Sequence, residues 1–143
     1  MESSKVMTKD PACCTADTSL QQVAQLMVDN DCGCIPVVDN ETSKMPIGMV
    51  TDRDICCRVV AAGKNPLDLT AGDAMTSTVV SVPFNSSFED ACRLMEESKV
   101  RRIAVVDEKG AICGIIAQAD VAINADDKAT AEVVQEVSKS AAG

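Results

Sequence analysis

The chain has 143 residues, 46% of them hydrophobic, no histidine and a net charge of −9. Such a charge repels polyanions, and with only Phe84 and Phe88 as aromatics there is no platform for stacking bases, so nucleic-acid binding is not expected. No apolar run approaches the ~18 residues of a membrane span, and Met1 to Lys5 is not a basic, apolar leader; a soluble cytoplasmic protein with eight mostly reduced cysteines is expected.

In chain order, Ala12-Cys13-Cys14-Thr15 predicts a short strand. Thr18 or Ser19 then caps a helix with Leu20, Val23, Ala24, Met27 and Val28 at helical spacing, ending near Asp29-Asn30. Ile35 to Val38 and Ile47 to Val50, joined by the polar turn Asp39 to Met45, predict an antiparallel hairpin. Thr51 caps a helix that starts at Asp52 and carries Ile55, Val59 and Val60. Gly63 and Pro66 end it, and Leu67 to Ala74 leads into the second half. There the order repeats: strand Val79 to Val82, helix Phe88 to Glu97, strands Ile103 to Val106 and Ile112 to Ile116, and a helix from Gln118. In the tail, Thr130 to Ser138 places Val133, Val134 and Val137 on one face of a short helix, a packing or dimer element.

The second half restates the first. Met7 matches Met75, Ser19 matches Ser87, Leu26-Met27 matches Leu94-Met95, and Ile35-x-Val37-Val38-Asp39 matches Ile103-x-Val105-Val106-Asp107, all at an offset of 68. After a two-residue length difference in a turn, Gly48 to Asp54 faces Gly114 to Asp120 at an offset of 66. Such a period is too long for a solenoid unit and suits a duplicated small αβ module, whose halves are each too small to build a large core alone. The expected divisions are 1–68, 69–125 and a helical tail at 126–143.

Met-Thr near the start of each copy, Val-Val-Asp at a strand end and Gly-h-h-Thr-x-x-Asp at the last strand–helix junction resemble cystathionine β-synthase (CBS) domains. The tandem resembles a Bateman module and covers residues from about 5 to 125. The resemblance implies an α/β (α+β) fold of two pseudo-symmetric motifs, each a small sheet packed with two helices. It also implies regulatory binding of adenosyl compounds in two clefts, and pairing of two modules into a homodimer, which we expect to form through the helices. Each cleft would draw its Thr-x-x-Asp from one copy and its first strand and pre-Val-Val segment from the other.

On that frame the first cleft combines Val50, Thr51 and Asp54 with Ser81, Pro83, Arg101, Arg102 and Ile103. An ionised Asp54 can accept from both ribose hydroxyls. The Thr51 hydroxyl, the helix-start amides and the two guanidinium groups can hold phosphate, with adenine between Ile103 and Val50. AMP, ADP or ATP is the expected ligand. The second cleft combines Ala117 and Asp120 with Cys13, Thr15, Cys32, Gly33, Cys34 and Ile35. Gly33 and Cys34 stand where the other copy has Arg101 and Arg102, so this cleft is expected to be weak or empty, or to take an uncharged or cationic adenosyl ligand such as S-adenosylmethionine; for the module as a whole NAD is a further candidate ligand.

Other readings of the same residues compete. Thr51 and Asp54 serve equally as a helix cap and a first-turn acid, and Arg101-Arg102 as solvated charges or partners of Glu96 and Glu97. Cys13, Cys32 and Cys34 invite zinc or redox sensing, yet no Cys-x-x-Cys knuckle and no His accompany them; Cys14, Cys56, Cys92 and Cys113 fall on apolar positions where small residues pack. No metal site and no obligatory cofactor is expected. Without His there is no Cys-His or Ser-His couple and no phosphate-binding Gly-x-x-x-x-Gly-Lys loop, so an enzyme is not expected. A ligand-free protein adaptor is the alternative, and any effector partner is not identified by sequence.

Overall fold

The computed structural model describes residues 1–124 and 127–139. In chain order the elements are a 3-10 turn (Ser3–Lys5), β1 (Thr8–Lys9), β2 (Cys14–Thr15), α1 (Leu20–Asn30), β3 (Cys34–Val38), β4 (Pro46–Thr51) and α2 (Asp52–Asp54), which runs into a π-helix (Ile55–Val60). A 3-10 turn (Pro66–Asp68), α3 (Ala71–Ala74), β5 (Ser81–Pro83), α4 (Phe88–Ser98), β6 (Arg102–Val106), β7 (Ile112–Ala117), α5 (Gln118–Asn124) and α6 (Asp127–Ser138) follow. The chain divides into two compact units: Pro11–Val79, built on the first repeat, and Met1–Asp10 with the chain from Val80 on, built on the second.

In the first-repeat unit the sheet order is β2-β3-β4, with β2 parallel and β4 antiparallel to β3. The Ser19 side chain accepts from the Gln22 amide at 3.2 Å and starts α1, whose Leu20, Val23 and Met27 face inward. Asp31 ends the helix in the left-handed region, at φ 48°. Leu20, Val23, Ile35, Val37, Val50 and Val59 make the core, each at most 1% exposed and each contributing about 1.5–3 kcal/mol by its burial.

The second-repeat unit has the sheet order β1-β7-β6-β5. Ser87 caps α4, Lys99 ends it at φ 54°, and Met95, Ile103, Val105, Ile116 and Val121 are fully buried. The expected strand at Val79 to Val82 lies two residues later at one end and one at the other, because β5 takes its register from β6, Ser81 opposite Ala104. The tail forms α6, with Val133 and Val137 buried in the same core as Cys92 and Met95. Val134 instead points outward, 38% exposed, and residues 125–126 and 140–143 of the region around the tail lie outside the described residues.

A proline explains why the repeats differ in strand length. In the second repeat the Ala104 amide donates to Val80 O at 2.9 Å, which extends β5. The matching residue in β3 is Pro36, which has no N–H, and β2 pairs only from Cys14 onward.

The sequence division at 68/69 follows the repeat, whereas the spatial grouping does not. Each repeat's leading segment is built into the unit that carries the other repeat's hairpin. Thr8 pairs with Ile115, and Thr76, its counterpart, pairs with Met49 through N–H···O bonds of 2.9 and 3.0 Å. Upstream, Ser3 N donates to Ser86 O and Ala71 N to Thr18 O, both at 2.8 Å. The Leu67 to Ala74 lead-in therefore stays with the first-repeat unit, closed by a Thr70–Asp73 capping box. Two glycines permit this exchange. A Cβ on Gly48 would lie 2.7 Å from Met75 Sδ and 2.9 Å from Thr76 O, and one on Gly114 would collide with Met7. The Met of Met-Thr thus lies over the Gly of Gly-h-h-Thr-x-x-Asp.

Candidate functional site

At the end of β4, Thr51 and Asp54 close a reciprocal cap. Thr51 N–H donates to Asp54 Oδ2 at 2.9 Å, and Asp54 N–H donates to Thr51 Oγ1 at 3.0 Å. The cap reading of these residues therefore holds, and one carboxylate oxygen, Oδ1, is left beside Arg58 Nε at 3.6 Å. Sequence reasoning passed over Arg58, although its i,i+4 spacing from Asp54 was the signal; it also donates to Met75 O at 3.2 Å. The helix-start amides expected to be free are engaged. Asp52 N donates to Gly33 O, Arg53 N to its neighbour's Asp52 Oδ1, and Asp54 N to Thr51. An anion here would have to be held by side chains.

The second copy keeps half of this device. Ala117 N–H donates to Asp120 Oδ2 at 2.8 Å, but Ala117 has no hydroxyl to return. Arg102 opens β6 opposite Ala117, partly buried, and Arg101 O accepts from Gln118 N at 2.9 Å while its side chain is exposed. Among the described residues neither guanidinium makes an ion pair; Glu96 and Glu97 are not their partners. In the first repeat Cys34 stands opposite Thr51, and Gly33 lies so near Asp52 that a Cβ there would be 2.9 Å from its Oδ2.

Of the first expected cleft, Val50, Thr51 and Asp54 belong to the first-repeat unit, and Ser81, Pro83, Arg101, Arg102 and Ile103 to the other. Ser81 and Pro83 are exposed on β5 with Val82 turned into the core. Of the second, Ala117 and Asp120 belong to the second-repeat unit, and Cys13, Thr15, Cys32, Gly33, Cys34 and Ile35 to the first. Val50, Ile103 and Ile35 are 0% exposed in the cores of their own units, so they back the neighbouring residues and offer no surface for adenine. Cys13 and Thr15 line a groove of about 460 Å³ with Thr18, Gln22 and Lys44.

The cysteines differ in exposure: Cys32, Cys56 and Cys57 are exposed, Cys13 and Cys113 half-buried, and Cys14, Cys34 and Cys92 buried. Burial pushes the Cys14 thiol up to about 12, helped by Cys13 and Cys34, and burial with Glu96 and Glu89 pushes Cys92 up to about 11. Burial also raises Cys13, against the pull of Lys44, and Cys113. Cys56, expected to pack, is exposed, as is Cys57. The π-helix adds a residue per turn, and Val59 is its buried residue. Among the described residues no group of three or more His, Cys, Asp or Glu could hold a metal ion. Titration with a thiol reagent at pH 8 should show Cys32, Cys56 and Cys57 reacting fast and Cys14 and Cys92 only on unfolding, since the thiolate is the reactive form. Mass spectrometry finding Cys14 among the fast set would contradict this packing.

Two like units, each a small sheet with a Gly-h-h-x-x-x-Asp junction leading into a helix, define a tandem αβ module. The CBS domain profile matches residues 4–60 and 71–125, and the chain belongs to the CBS domain family. It is 36% identical over 118 residues to the CBS domain-containing protein YhcV of Bacillus subtilis, covering 82% of this chain and 81% of that one. Hypoxic response protein I, known from Mycobacterium tuberculosis, was solved with two coordinated zinc ions; it is 31% identical with a TM-score of 0.75, over 87% of this chain and 98% of that one. CBSX2, known from Arabidopsis thaliana, was solved in complex with AMP; it is 26% identical with a TM-score of 0.70, over 87% of this chain and 95% of that one. No helix among the described residues is long and apolar enough to cross a membrane.

Proposed function

We propose that this chain is a non-catalytic regulatory module that binds an adenine nucleotide, AMP, ADP or ATP, with Thr51, Asp54, Arg101 and Arg102 as the residues that recognise it. The observation that carries the reading is the pair of arginines without ion-pair partners among the described residues, in a chain of net charge −9. A guanidinium fork that is not neutralised by the protein suits phosphate oxygens. Asp54 Oδ2 is taken by the Thr51 amide and Oδ1 lies 3.6 Å from Arg58 Nε, so a ribose hydroxyl would share Oδ1 with that guanidinium; the AMP complex of CBSX2 supports the ligand class. The residues assigned to the other cleft have neither arginine nor a threonine hydroxyl at 117, so that cleft is the weaker for a phosphorylated ligand. The module would self-associate, and Ile123, 79% exposed on α5, Val28, 73% exposed on α1, Leu67, 64% exposed, and Val60, 55% exposed, are among the apolar side chains on offer for it. Nucleotide binding would then act on a partner only through a difference in affinity between two states of the module.

Calorimetric titration of AMP, ADP, ATP, adenosine, S-adenosylmethionine and NAD tests this. The expected result is saturable heat for the phosphorylated nucleotides, little changed by Asp120→Ala. Heat from S-adenosylmethionine alone, or from no ligand, would overturn the reading.

A further inference from the structure

The residue four positions after each of the paired aspartates differs between the repeats. In the first-repeat unit it is Arg58, whose Nε lies 3.6 Å from Asp54 Oδ1 and whose Nη1 donates to Met75 O at 3.2 Å. In the second-repeat unit it is Asn124, whose Nδ2 donates at 2.8 Å to the backbone oxygen of Asp120 and not to its carboxylate. The two carboxylates are otherwise held alike, with Oδ2 accepting from the Thr51 amide at 2.9 Å and from the Ala117 amide at 2.8 Å. Asp54 therefore has a cation beside it, whereas Asp120 takes part in no ion pair among the described residues.

This difference bears on a ligand that carries a phosphate. A bare carboxylate that accepts from a ribose hydroxyl also repels the phosphate of the same nucleotide, because the two charges lie within a Debye length of ~8–10 Å. A guanidinium beside that carboxylate cancels most of the repulsion. At 3.6 Å Arg58 Nε is an ion-pair partner of Oδ1 and too far for a hydrogen bond, so it offsets the charge without filling the acceptor. Its bond to the carbonyl of Met75, which is seated over Gly48, holds it there. With the Arg58 side chain 53% exposed the pair adds little to stability, and its effect is expected on the ligand instead. On the reading that Asp54 takes the ribose, we propose that Arg58 is a specificity-determining residue. It makes the Asp54 site accept a phosphorylated adenosyl ligand, while Asp120, with Asn124 in the matching place, favours an uncharged or cationic one.

Calorimetric titration of the full chain with AMP and with adenosine reads the ratio of the two affinities. Arg58→Gln, which keeps an amide donor for Met75 O and drops the charge, should lower the preference for AMP by about three- to fivefold and leave adenosine nearly unchanged. Arg58→Lys, which keeps the charge, should retain the parent's preference, and the effect of Arg58→Gln should shrink as salt is added. An unchanged ratio in Arg58→Gln overturns the inference alone, as does an equal loss of both ligands, which marks a structural role. A preference lost in Arg58→Lys also overturns it, since charge is then not the property that selects. A parent chain that binds neither ligand overturns the nucleotide reading itself, and this inference with it.

Discussion

Gly48→Ala is expected to destabilise the protein by about 1–3 kcal/mol in urea denaturation, the usual cost of forcing a group into packed space. The new Cβ would lie 2.9 Å from Thr76 O, a backbone atom held by its hydrogen bond from Met49 N, so relief requires moving the bridge itself. Met75→Ala in the same chain should not restore stability, because the backbone oxygen remains. Gly114→Ala has a different remedy. Its nearest obstacles are Met7 Sδ and Cγ, with Met7 Cβ at 3.0 Å, so Met7→Ala should recover part of the loss and give a coupling energy in the double-mutant cycle. Equal costs for both glycines, with or without the methionine substitutions, would show that the exchanged segments do not press on these strands.

Arg102→Ala should weaken AMP and ATP by about 1.5–3 kcal/mol, roughly 10- to 150-fold, and leave adenosine nearly unchanged, since only a phosphate makes a charge-assisted bond to the guanidinium. Asp54→Ala should weaken all three by a comparable amount through the ribose. It also removes the acceptor of the Thr51 amide, and Asp54→Asn, which keeps an oxygen there, separates the two effects. Loss of adenosine binding in Arg102→Ala, or parental affinity in both variants, would remove the proposed division of labour between sugar and phosphate.

The sequence carried most of the local structure. Ser19, Ser87, Thr51 and the β-rich runs are short-range signals, and caps, hairpin and helix ends follow from them. The family and the paired aspartates were legible for the same reason: both rest on motifs of a few residues repeated in a fixed frame. What side chains at the site are free to do was not legible. The amides at Asp52 to Asp54 are spent on Gly33, Asp52 and Thr51, Val50 and Ile103 turn inward, and Cys56 faces water because a π-helix changes the phase of its turn.

Periodicity and capping are properties of neighbours in the chain, so the order of elements, the duplication and the unlike chemistry of Arg101-Arg102 and Gly33-Cys34 were determined by sequence alone. The reciprocal exchange of Met-Thr segments, the fit of Met7 and Met75 over glycines, and the seating of Val133 and Val137 of α6 in the second-repeat core were decided by tertiary structure. These pairings join Thr8 to Ile115 and Met49 to Thr76, far apart in the chain. No local pattern encodes such contacts; they exist only once both sheets offer an edge to receive them.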